Sequence, residues 1–285
     1  MTVLQVIQRS TEFLAKKGVD SPRLQAELLL AHLLKLPRMQ LYLNFERALT
    51  PAEEDGLREL IKRRGQREPL QHIIGSVSFC GYEIAVNRHV LIPRPDTELL
   101  AARGWEYLST LNPQPSTAFD WGTGSACIAI ALACKIPTLR VYATDSSPEA
   151  LELAQRNAAS NGVADRIQFL SGLGFSALPN GIKFDLIISN PPYIPTAEIS
   201  LLQPEVRDHD PRQALDGGPD GLDHIRQIAP QASAFLKPSG KVMLEFGDGQ
   251  AESVRQLFSE QKWIVEDIVE DYTQQPRIFI GKRPA

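Results

Sequence analysis

Between residues 118 and 189, short β-branched or aromatic runs alternate with longer helical stretches, and each run stops abruptly at glycine, aspartate or proline. Ala118-Phe119-Asp120 leads into Trp121-Gly122-Thr123-Gly124-Ser125-Ala126 and then a helix over 127–135 almost without polar residues. Arg140-Val141-Tyr142-Ala143-Thr144 ends at Asp145, after which Ser147-Pro148 caps a helix carrying Leu151, Leu153, Ala154 and Ala158 that Gly162 terminates. Ile167-Gln168-Phe169-Leu170 and residues 184–189 supply a third and a fourth run. Strands separated by helices of such lengths predict a parallel sheet with right-handed crossovers. Such sheets bind ligands beyond the carboxyl ends of their strands, so function is sought in the loops that follow each run.

Two of those loops have the chemistry of a site. Gly122 and Gly124 let the backbone pass close beneath a ligand, and the helix that follows offers unpaired N–H groups at its start. A Gly-x-Gly loop alone is equally a packing turn; Asp145, an acid at the tip of the next strand, strengthens the reading because it can accept both hydroxyls of a ribose. The third glycine position is Ala126 and no basic residue awaits a pyrophosphate, which favours a mononucleoside over a dinucleotide. The second loop is Ser189-Asn190-Pro191-Pro192-Tyr193. Proline fixes φ and holds the preceding residue extended, so the Asn190 side-chain carbonyl and the Pro191 backbone carbonyl become aimed acceptors for an NH2 group, with Tyr193 as an aromatic face for a flat group. Alone, the same stretch is as readily a proline-stiffened turn.

The flanks suggest further parts. Thr2 caps a helix with Leu4, Ile7 and Leu14 on one face and Gly18 at its end; Ser21-Pro22 starts a second carrying Leu24, Leu28, Ala31 and Leu34; Thr50-Pro51-Ala52-Glu53 is the capping box of a third. Lys62, Arg63 and Arg64 at the end of that helix suit either a partner patch or compensation of the helix dipole. Residues 76–79 and 82–86 around Cys80-Gly81 predict a hairpin. Asp96 or Thr97 is expected to cap the helix bearing Leu99, Leu100 and Leu108, with Arg94 and Glu98 either in a site or paired with each other. The expected division is a helical bundle over 1–72, a hairpin connector over 73–90 and a larger domain over 91–285, with a linker at 112–116. Residues 195–221, irregular and rich in proline and charge, read as a substrate-facing flap. A helix through Leu236, a strand over 241–246, a helix over 252–258 and an antiparallel pair of runs, 263–269 and 277–280, close the chain.

Charge narrows the partners little. Residues 1–89 carry 13 basic and 10 acidic side chains and the remainder 17 and 24, an asymmetry too slight to argue nucleic-acid binding. Cys80, Cys127 and Cys134, like the five histidines, lack metal-ligand spacing, so neither a zinc site nor a disulfide framework is expected. With no signal pattern and no membrane-length apolar run, the expected location is the cytoplasm.

DWGTGSA, Asp145 and SNPPY together resemble class I S-adenosylmethionine-dependent methyltransferases acting on planar nitrogen. Through EPLQHIIG, LIPRPDTELL, EVRDHDPRQALDGGPDGL and LEFGDGQ the resemblance covers nearly the whole chain and is to the HemK/PrmC family, which methylates the glutamine of the Gly-Gly-Gln motif in class 1 peptide chain release factors. It implies an α/β, Rossmann-like fold: a mostly parallel seven-stranded sheet with an antiparallel edge strand, plus a small N-terminal helical domain that helps dock the release factor. It implies S-adenosyl-L-methionine on Gly122, Thr123, Gly124, Ser125, Ala126, Asp145, Gly174 and Asn190, and the glutamine side chain on the catalytic loop Asn190, Pro191, Pro192 and Tyr193. No metal and no membrane are implied, and direct nucleic-acid binding is not expected. Two departures stand out: Leu173-Gly174 occupies the place of an acid and a bulky residue that meet the adenine, and Tyr272-Thr273-Gln274-Gln275-Pro276 replaces a glycine-rich run before Arg277. The competing readings are a methyltransferase for the exocyclic amine of a nucleobase, which the same loop would serve, and a non-catalytic protein that binds the cofactor or a translation factor.

Overall fold

A computed structural model describes residues 1–111, 116–172 and 174–283. Most of the expected linker (residues 112–115) and Leu173 lie outside the described residues. The chain divides into two compact units, Met1–Ser76 with Gln203–His209, and Val77–Leu202 with Asp210–Ala285. The flap expected over 195–221 is therefore shared: its middle belongs to the first unit and its two ends to the second.

The first unit is helical: α1 (Val3–Lys16), α2 (Pro22–Leu34), α3 (Arg38–Leu43), α4 (Pro51–Gly65) and α5 (Leu70–Ile74), joined later in the chain by the single turn α9 (Pro204–Arg207). Thr2 with Gln5 and Thr50 with Glu53 form reciprocal capping boxes, each satisfying two backbone N–H groups at a helix start. Ser21 does not act as expected: at φ 46° it lies in the left-handed region and its hydroxyl makes no capping bond. The expected face of α2 is only partly right: Ala31 is buried and Leu34 packs against the core, but Leu24 is 40% exposed while Ala26, Leu29 and Leu30 are buried. The sequence Leu-Leu-Leu-Ala-His-Leu-Leu is apolar on most sides, so its spacing could not choose the face. The basic run at the end of α4 splits. Arg63 pairs with Glu68, whereas Arg64 is buried and donates to Glu205 at 2.7 Å, alongside a two-pronged grip on the same carboxylate by Arg67. Those guanidiniums, outweighing partial burial, hold Glu205 down at about 2.

In the second unit the hairpin forms as expected, β1 (Ser76–Phe79) and β2 (Tyr82–Ala85), turning through Cys80 and Gly81 at φ 51° and 84°. It is no free connector: Phe79 and Ile84 are buried in this unit's core, and Asn157 clamps Ala85 by both backbone groups. Then follow α6 (Pro95–Thr110), β3 (Thr117–Trp121), α7 (Cys127–Lys135), β4 (Arg140–Asp145), α8 (Pro148–Ser160), β5 (Ile167–Ser171), β6 (Phe184–Ser189), α10 (Asp223–Ala232), β7 (Leu236–Glu245), α11 (Ala251–Glu260), β8 (Ile264–Glu270) and β9 (Pro276–Lys282). Neither Asp96 nor Thr97 caps α6; Arg94 holds that position and Pro95 opens the helix, leaving the Thr97 hydroxyl free for other work.

The seven strands lie in the order β5-β4-β3-β6-β7-β9-β8. All neighbours are parallel except around β9, which runs antiparallel to both β7 and β8. The antiparallel strand thus sits one place in from the edge, which β8 occupies. Strand order reverses at β3: β4 and β5 lie on one side and β6 and β7 on the other, so the carboxyl ends of β3 and β6 flank a topological switch point. Fully buried Phe119, Phe184, Leu186, Ile187, Ile188 and Leu244 fix this centre. Among the described residues no helix is long and apolar enough to cross a membrane.

Candidate active site

A cleft lies at the ends of these strands. It gathers Gly122, Thr123, Gly124, Ser125, Asp145, Gly174, Asn190 and Pro192 from the expected residues; Ala126, Pro191 and Tyr193 stand outside its lining. Ala126, fully buried, adopts φ 64° and turns the chain into α7.

The floor on one side is backbone. Gly122 and Gly124 have φ of 72° and 54°, and a Cβ added to either would meet nothing within 4 Å, so both face open space. The loop is braced from below by Gly122 and Thr123 N–H bonds to the Thr144 carbonyl, at 3.0 and 2.9 Å. Beneath it Asp120 is buried and accepts the Thr123 hydroxyl at 2.6 Å; burial pushes its carboxyl up to about 7, that hydrogen bond only partly opposing the shift. Asp145 accepts Gly124 N–H at 2.8 Å on one oxygen and Ser147 N–H at 2.9 Å on the other. Each oxygen keeps a further lone pair for a hydroxyl, so the carboxylate is pre-aimed rather than consumed. The chemistry of this donor set and the open glycine floor fit a ribose-bearing ligand.

Trp121 and Gly174 close this end of the cleft. Gly174 has φ 49°, and any Cβ there would overlap the Trp121 indole nitrogen. The indole therefore occupies the room a side chain at 174 would need, with His224 edge-on to it at 5.4 Å. Burial lowers the His224 imidazole pKa, favouring its neutral form. A flat wall of this kind suits a heteroaromatic base.

The other side is built from side chains. Asn190 donates its Nδ2 to the Thr97 hydroxyl at 2.9 Å, and Thr97 donates in turn to Glu245 Oε2 at 2.7 Å. Tyr193 donates its hydroxyl to the other oxygen of Glu245 at 3.2 Å, while its carbonyl accepts from Gln250 Nε2 at 2.9 Å. Among the described residues neither Asn190 Oδ1 nor the Pro191 carbonyl accepts a hydrogen bond. Glu245 is 1% exposed, and burial pushes it up to about 7 against the hydroxyls of Thr97 and Tyr193. Burial, reinforced by Glu245, also raises the Tyr193 phenol.

Glu245, Gln250, Trp121 and His224 were given no site role from sequence, and Thr97 only that of a helix cap. The signal for Glu245 was present: an acid closing Val242-Met243-Leu244 in a buried strand requires a partner. Arg94 and Glu98, expected in the site or paired together, do neither; Arg94 binds Asp210 and Glu98 accepts Cys80 N–H. Asp210, nearly wholly enclosed, is pushed up to about 6 by burial against the pull of Arg94. Arg277 binds Asp271 and the Phe246 carbonyl, stiffening the loop after β7.

Residues 5–75 match the family model described as the PrmC N-terminal domain, and residues 106–203 that of the methyltransferase small domain. A release factor glutamine methyltransferase of Geobacter sulfurreducens is 46% identical over 258 residues, covering 90% of this chain and 88% of its own. Another, from Moorella thermoacetica, is 41% identical over 285 residues and 99% of both chains. Among solved structures, a methyltransferase from Pyrococcus furiosus superposes with a TM-score of 0.53 at 21% identity, covering 72% of this chain and 90% of that one. The hMettl16 catalytic domain, solved with an RNA hairpin, gives 0.55 at 16% identity over 79% and 80%. At those identities the two structures speak to the fold alone.

Proposed function

Since the chain belongs to the release factor glutamine methyltransferase family, we propose that it transfers a methyl group from S-adenosyl-L-methionine to the side-chain amide nitrogen of the glutamine in the Gly-Gly-Gln motif of a class 1 peptide chain release factor. The observation that carries this is the state of the two acceptors at the tip of β6. Asn190 is tied back through its NH2 group, so its oxygen and the Pro191 carbonyl stay available to a donor with two N–H bonds.

An amide nitrogen is a poor nucleophile because its lone pair is shared with the carbonyl. Asn190 Oδ1 and Pro191 O each accept one of its N–H bonds, return electron density to nitrogen and fix its direction. The bound sulfonium supplies an electrophilic methyl. Gly122, Gly124 and Asp145 hold the nucleoside end of that cofactor, with Asp145 accepting ribose hydroxyls, while Trp121 beside Gly174 walls the base. Alkylated nitrogen is acidic, so its proton departs to water after attack and no strong general base is required. Pro191 and Pro192 keep the loop rigid, and Tyr193, anchored at both ends, holds the Pro192 side of it in place. The helical unit, with Gln203–His209 clasped to it by Arg64 and Arg67, is the docking module for the release factor.

The test is incubation with radiolabelled methyl donor and a release factor, DNA or RNA in separate arms. Label is expected on the release factor alone and lost when its Gly-Gly-Gln glutamine becomes alanine. Label on a nucleobase instead would overturn the reading.

A further inference from the structure

We infer that Glu245 is a positioning residue whose ionised carboxylate, acting through the Thr97 hydroxyl, dictates which end of the Asn190 amide faces the substrate. This rests on the proposed function above.

Donors and acceptors decide the orientation. A threonine hydroxyl has a single hydrogen. Ionised Glu245 can only accept, so it takes that hydrogen at 2.7 Å, and Thr97 can then offer Asn190 only a lone pair. A lone pair selects the NH2 end of the amide, which is the end seen 2.9 Å away. Asn190 Oδ1 is thereby turned out toward the cleft. Tyr193 has the same relation to the second oxygen, so a single buried carboxylate fixes both the first and the last residue of the loop.

Protonation of Glu245 on Oε2, the oxygen that faces Thr97, reverses the sequence of donors. A carboxylic O–H donates to Thr97, Thr97 donates to Asn190, and the amide turns over to present NH2 where the substrate also presents NH2. Two donors facing each other cannot bind. The groups bearing on this proton are few: Thr97 and Asp96 from α6, Tyr193 from the loop after β6, and Arg277 from β9, itself bound to Asp271. Asp96 favours protonation; Arg277, Thr97 and Tyr193 oppose it. Burial outweighs them and places the transition near neutrality, at about 7.

Glu245→Gln keeps the shape and fixes the donor arrangement of the acid form, since its NH2 can donate to Thr97 permanently. In that variant kcat for release-factor methylation at pH 8.5 is expected to fall at least about thirtyfold, while affinity for S-adenosylhomocysteine by calorimetry stays within about twofold. In the wild type, kcat falls as pH drops through about 7, and this limb is absent from the variant. Thr97→Val should behave like Glu245→Gln, and Thr97→Ser should restore most activity. A readout independent of turnover is the Asn190 side-chain NH2 resonance in ¹⁵N-labelled protein, assigned by its loss in Asn190→Ala. It should shift with pH in the wild type near the same value and stay fixed in Glu245→Gln. An unchanged kcat and pH profile in Glu245→Gln, or an Asn190 resonance that titrates in that variant, overturns the inference. Wild-type protein that labels no release factor instead overturns the functional reading, while the resonance still tests the inference.

Discussion

The two halves of the cleft share one device and assemble it differently. Under the glycine loop, buried Asp120 holds the Thr123 hydroxyl at 2.6 Å; under the Asn190 loop, buried Glu245 holds the Thr97 hydroxyl at 2.7 Å. Both acids are pushed up to about 7 by burial. Yet Asp120 and Thr123 are three residues apart, within one turn, whereas Thr97 and Glu245 are separated by 148 positions and meet only because α6 packs against β7. The first half offers backbone and one carboxylate to a ligand. In the proposed reading the second offers an amide oxygen and a carbonyl, and the amide takes its direction from a distant relay. Local construction suits a floor that needs only shape; distant construction lets the orientation of a single side chain be controlled.

If this division of labour is right, damage to one half should spare the other. The largest effect is expected from Asn190→Ala, which removes one of the two acceptors: turnover should fall by roughly a hundredfold to a thousandfold with cofactor affinity nearly unchanged. A parallel loss of affinity in calorimetry would break the comparison, because the halves would then not be separable.

Next comes stability against pH, where the acids should act alike. For Glu245 the folded state keeps a proton that the unfolded chain has released above the ordinary carboxylate range. Its contribution to stability is therefore present below that range and is lost as pH rises through about 7. Glu245→Gln should accordingly unfold in urea at the wild-type midpoint near pH 4 but resist by on the order of 3 kcal/mol more near pH 8.5, and Asp120→Asn should show the same sign. Stability thus favours the protonated acid while activity requires the ionised one, so acid loss of turnover cannot be ascribed to unfolding through this group. A variant less stable than the wild type at high pH would contradict the burial argument.

A smaller effect is expected at the glycine-loop half. Asp145→Ala should weaken S-adenosylhomocysteine binding by roughly tenfold to a hundredfold, the loss of charged hydrogen bonds, while leaving the KM for release factor in place at saturating cofactor. The smallest concerns the wall. Trp121→Leu should cost about 1 kcal/mol of cofactor affinity, and Trp121→Phe, which keeps an aromatic face, should lose less. A smaller loss in the phenylalanine variant sharpens the view that the wall acts through its flat face; equal losses in the two variants would count against it.

How much of this was legible in the sequence follows the same line between near and far. The alternation from 118 to 189, the hairpin turn at Cys80-Gly81, the cap at Thr2 and the capping box at Thr50 are local patterns, and each formed where expected because the forces involved act within a few residues. That the glycine loop with Asp145 and the loop bearing Asn190 stand together at one cleft was legible for that reason too. The buried face of α2 was legible only in part, Ala31 but not Leu24, since a helix apolar on most sides is oriented only by what packs on it. Not legible was the partition of residues 195–221, where Glu205 answers Arg64 and Arg67 from 138 or more positions away.

The chain's own order thus determined which loops stand at the cleft, because glycine, proline and a strand-end acid constrain the backbone wherever they stand. Tertiary structure alone decided how that chemistry is aimed. Thr97, expected to cap a helix, was released from that task by Pro95 and Arg94 and given to Glu245. A hydrogen bond's direction depends on what lies beyond its partner, and for Asn190 that neighbour comes from another part of the sheet.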